Sequence, residues 1–103
     1  MRTAHDQPRG RPIAAHEQPY LDALGRRLRE LRRAAGLTQA ALGLAAGLHP
    51  VSVRRIELGL RRTRRGTLRQ LVLALGTDPA GVDRLLDELV DLAGPALAKE
   101  SPW

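Results

Sequence analysis

Apolar residues recur along this chain at steps of three and four, the spacing that lines up one face of an α-helix. Leu21, Leu24, Leu28, Leu31 and Ala35 form a first such stripe, beginning at Tyr20. Arg26, Arg27, Arg29, Glu30 and Arg33 lie opposite, and Gly36 is the expected stop. A second helix is predicted to open on Thr38, whose hydroxyl can accept from free amides two or three residues on. Leu42 and Ala46 are its inward positions, Gly43 admits a closely packed neighbour, and Gly47 supplies the turn. The third helix starts near His49, a weaker cap than Ser or Thr. Pro50 holds its first position, and Val53 and Ile56 form its buried face. A fourth, capped by Thr67, carries Leu68, Leu71, Val72 and Leu75 up to Gly76. The fifth runs from Asp78 and Pro79 to Gly94 and Pro95. Its apolar positions, Val82, Leu85, Leu86, Leu89, Val90, Leu92 and Ala93, exceed one stripe. Residues 1–18, rich in breakers and poor in periodicity, read as a disordered arm. Residues 94–103 read as a tail, leaving one folded unit over 20–93.

A chain of 103 residues supports one small core. With no Phe, one Tyr and one Trp, that core must be Leu, Val, Ile and Ala, which suits packed helices. The absence of Cys excludes disulfides and thiolate metal sites. No apolar run approaches the ~18 residues of a membrane span, and no signal-peptide segment opens the chain, so a soluble intracellular protein is expected. His5, His16 and His49 are scattered without ligand spacing, and the glycines sit at helix ends rather than in a phosphate loop. Asp83, Asp87, Glu88 and Asp91 read as a solvated helix face. Neither catalysis nor a metal or cofactor is expected.

Charge changes the picture more than composition does. The formal net charge is +6, but residues 20–75 hold twelve Arg against three acids, and residues 76–103 hold two basic residues against six acids. Positive charge gathered over the second and third helices is the footprint of a polyanion binder.

The stretch LTQAALGLAAGLHPVSVRRIELG, residues 37–59, resembles the helix-turn-helix of the Cro and phage-repressor type, the XRE family. GLTQ opens the first of its helices, LxxxAG closes it, VSVRRIE forms the second, and a Gly ends it; the likeness extends over residues 24–76. The resemblance implies that His49, Pro50, Val51, Ser52 and Arg55 line the base-reading side of the third helix. Arg55 follows Val51 by one turn, so both project from one face. An Arg there suits the O6 and N7 of guanine, and Val51 suits a thymine methyl. The chain has no Asn, which excludes adenine reading by that residue. The resemblance also implies phosphate contacts from Thr38, Gln39, Arg54, Arg61, Arg62, Arg64 and Arg65, and a structural ion pair between Arg32 and Glu57.

The expected fold is therefore all-α, a five-helix lambda-repressor-like domain whose second and third helices form the helix-turn-helix. The implied function is sequence-specific binding of double-stranded DNA in transcriptional regulation, as a repressor in the bacterial cytoplasm and nucleoid. One domain offers few base contacts, so a homodimer on a pseudo-palindromic operator is expected. Leu86, Leu89 and Val90 of the fifth helix are its candidate surface. An alternative keeps the fold but makes the chain an antitoxin or interaction module whose acidic C-terminal segment binds a partner protein.

Overall fold

The computed structural model describes residues 11–99. Among these, five helices follow one another: α1 (Gln18–Ala34), α2 (Gln39–Ala46), α3 (Pro50–Glu57), α4 (Arg65–Ala74) and α5 (Pro79–Ala93). A 3-10 turn, Gly94–Ala96, closes the last. Helix α1 lies against α3 and α5, and α2 and α3 pack on each other. Leu24 and Leu28 from α1, Leu42 from α2, Val53 and Ile56 from α3, and Leu68, Leu71 and Val72 from α4 meet in one core. Among the described residues, no helix is long and apolar enough to cross a membrane.

Two glycines set how closely the helices approach. A Cβ on Gly43 would lie 2.7 Å from the carbonyl oxygen of Leu48, so the α2–α3 turn can fold down only onto a residue without a side chain. Gly25, at the middle of α1, plays the same part against α3: a Cβ there would collide with the carbonyls of Ile56 and Glu57. No periodicity or turn signal in the sequence marks that second contact.

Several expectations are corrected. Thr67 does not cap α4. The extended residue before the helix is Arg64, held by a parallel bridge to Ala98, and Leu68 N–H already donates to its carbonyl. Helix α1 begins at Gln18 because Pro19 is tolerated in a first helical turn, where its missing N–H would have no partner. Of the arm expected over 1–18, residues 11–17 are held against the loop after α3, through hydrogen bonds from Arg62 to the Arg11 and Pro12 carbonyls and to Glu17. Residues 1–10 lie outside the described part. The expected tail likewise folds back as far as Ala98, with Ala96 fully buried and Ala98 N–H donating to Thr63 O at 3.0 Å. Residues 100–103 lie outside the described part.

The residues of the expected dimer surface lie mostly inside the chain. Leu86 and Leu89 are wholly buried within the chain's own core, and Val90 is half-buried against it. The apolar face of α5 is wide because it meets α1, α4 and the returning C-terminal turn together.

Candidate nucleic-acid interface

Helix α3 is fixed by polar contacts from two other helices. Arg32 of α1 donates to both carboxylate oxygens of Glu57, Nε at 2.6 Å and Nη2 at 3.0 Å, in the fork geometry that suits guanidinium and carboxylate. Its remaining Nη1 donates to Leu37 O at 2.9 Å, and Gln39 Nε2 of α2 donates to Glu57 Oε1 at 3.1 Å. Side-chain exposures of 11% and 2% make this a buried pair, with each oxygen and nitrogen occupied. The Glu57 hydrogen bond raises the Arg32 pKa against the opposing effect of burial. One carboxylate at the end of α3 thus ties together the three helices that carry the site.

The starts of α2 and α3 are capped. Thr38 Oγ1 accepts from Ala41 N–H at 3.0 Å. His49, the weaker cap by residue type, does cap α3: its Nδ1 accepts from Val51 N–H at 3.1 Å. That bond assigns the proton of neutral His49 to Nε2, which remains as its donor edge.

Along α3 the pattern divides cleanly. Val53 and Ile56 are buried, whereas Val51, Arg54 and Arg55 are exposed on the other side. Ser52 is half-buried, with its Oγ 3.2 Å from Arg61 Nη1. Leu58 and Leu60 extend the exposed surface past the helix end. Beside α2, Arg29, Arg54, Gln39 and Leu58 surround a recess of about 220 Å³. In the sequence Arg29 looks like any other charge on the solvated face of α1. Only the crossing of α1 over α3 brings it beside Arg54.

The four arginines after α3 part company. Arg61, Arg64 and Arg65 are exposed. Arg62, expected on a phosphate, turns inward: its Nε and Nη2 donate to Glu17 at 2.8 and 2.6 Å, and it also donates to the carbonyls of Arg11 and Pro12. The bond from Arg62, with a second from Ala14 N–H, lowers the Glu17 pKa to about 2. Glu17 gave no sign of this role in sequence, since its partner lies 45 positions away. Among the described residues, no group of His, Cys, Asp or Glu could hold a metal ion.

A short helix whose exposed face is basic, docked by its opposite face and by Glu57 onto a supporting helix, defines a helix-turn-helix DNA-binding domain. The chain belongs to the helix-turn-helix domain family, whose model matches residues 23–85. It is a DNA-binding helix-turn-helix protein of the Cro and phage-repressor type. Its structure is similar to that of the restriction-modification controller protein C.AhdI from Aeromonas hydrophila, with a TM-score of 0.55 and 37% identity. That likeness covers 60% of this chain and 94% of the other. No curated protein matches the chain.

Proposed function

We propose that the protein is a cytoplasmic controller of transcription that acts as a homodimer on a pseudo-palindromic operator and represses from it. The observation that carries this reading is the exposed basic face of α3, with Val51 and Arg55 on one side of a helix locked in place by Glu57. In this reading Arg55 reads guanine and Val51 a thymine methyl, with His49, Pro50 and Ser52 beside them. Thr38, Gln39, Arg54, Arg61, Arg64 and Arg65 hold the flanking phosphates, joined by Arg29. Gln39 has spent one amide hydrogen on Glu57 and has its second for a phosphate. The likeness to a restriction-modification controller supports a regulatory role for the 60% of the chain that it covers.

The test is selection of bound sequences from random duplex DNA at a fixed salt concentration, with sedimentation of the free and bound protein. Two inverted half-sites about one helical turn apart, occupied by two chains, is the expected result. A single asymmetric site bound by one chain would remove the dimer from the proposal.

A further inference from the structure

The loop after α3, the segment at residues 11–13 and Ala98 together wall an open groove of about 810 Å³. Four of its lining side chains are Arg11, Arg55, Arg61 and Arg64. Among the described residues none of these four is paired with a carboxylate. Arg62 also lines the groove but is neutralised by Glu17, and four of its five N–H donors go to that carboxylate and to two carbonyls. The groove is continuous with the DNA-facing side of α3, since Arg55 belongs to both.

We infer that this groove takes a backbone phosphate of the duplex just outside the bases faced by α3, and that the Glu17–Arg62 pair positions Arg11 to bind it. The inference rests on the DNA-binding reading and adds a contact from outside the helix-turn-helix. Arg62 grips the backbone of residues 11 and 12 by their carbonyl oxygens, so it fixes where the Arg11 side chain starts. One arginine is withdrawn from the ligand to fix the place of another. A guanidinium fork is suited to this because it can hold a carboxylate and two carbonyls at once, which an ammonium cannot do with fixed geometry. Glu17 and Arg62 are thus positioning residues, and Arg11 is the one that touches DNA.

The experiment measures binding to the selected operator and to random duplex over a range of salt, for the full chain and for Arg11→Ala, Glu17→Gln, Arg62→Lys and the two double variants that add Arg11→Ala. Thermal melting of each variant identifies those that remain folded, and Arg62→Lys serves where Glu17→Gln does not. Arg11→Ala should weaken both DNAs alike and flatten the logarithmic salt slope by about one unit. Added to Glu17→Gln or Arg62→Lys, the same change should have little further effect, because Arg11 is then no longer held. Each comparison is made within one background, so an Arg62 released by Glu17→Gln is common to both of its arms. An equal effect of Arg11→Ala in every background would overturn the positioning role. No effect in the parent chain, with operator binding intact, would overturn the groove as a phosphate site and leave the DNA-binding reading standing. Failure of the parent chain to bind any duplex would instead reject that reading itself.

Discussion

Arg55 and Arg62 are chemically identical and only seven positions apart, yet their surroundings give them opposite uses. Arg55 is exposed on the helix face opposite Val53 and Ile56, whereas Arg62 is bound to Glu17. If Arg55 reads guanine, Arg55→Ala should cost about 1–3 kcal/mol on the selected operator and little on random DNA. Competition binding of the two duplexes checks this, and an equal loss on both would make Arg55 a phosphate contact. Arg64 and Arg65 are expected to behave the other way: replacing both with Ala should weaken every duplex alike and flatten the salt slope by up to about two units. Sequence alone made all four loop arginines equivalent. What separates Arg62 is a carboxylate placed by the turn before α1, and no local pattern records a partner so distant. The same pair has a pH signature. The Arg62 hydrogen bond holds the folded-state pKa of Glu17 at about 2, below its ordinary value of 4.5. Its contribution to stability is therefore complete above the ordinary value and is lost as pH falls toward 2. Acid unfolding followed by circular dichroism should show a shallower decline over that interval in Glu17→Gln than in the parent.

At the scale of the element, the helices and most of their ends were legible, and the starts of α1 and α4 were not. Period-3.6 apolar stripes reported all five helices, because each buries one face against its neighbours and leaves the other in water. The start of α4 escaped because Arg64 is held extended by Ala98, a pairing made only when the C-terminal turn folds back. The width of the α5 stripe was legible too, but its meaning was not: a helix covered by three neighbours and one shared between subunits both need extra apolar positions. The structure gives Leu86 to the core, so Leu86→Glu should unfold the chain rather than split a dimer, with loss of the cooperative thermal transition as the readout. Leu86→Ala should remain folded at a cost of about 2–5 kcal/mol in chemical denaturation. Gly25 marks another silent position. Gly25→Ala should loosen α1 from α3 despite the better helix propensity of Ala, because the added methyl meets backbone carbonyls that cannot step aside. A gain in melting temperature would contradict this.

At the scale of the whole molecule, the segregation of charge announced the binding face, and the resemblance over residues 24–76 supplied its orientation. The lock among Arg32, Gln39 and Glu57 joins that face to the core. Breaking it by Glu57→Gln should strand a buried guanidinium, with a stability loss of about 3–5 kcal/mol in denaturant unfolding. Specific DNA affinity should fall with it, as α3 loses its fixed attitude. The loop after α3 has a further consequence for the chain as a covalent object. It receives the backbone of residues 11 and 12 on one side and Ala98 on the other, so both ends of the described part come to one place. A short flexible linker from residue 98 to residue 11 would close the polypeptide into a ring with little rearrangement, and that ring could be opened at the exposed turn at Gly76. Such a circular permutant would keep α1, α2 and α3 uninterrupted, and it would carry any fused reporter at Gly76 instead of beside the basic groove.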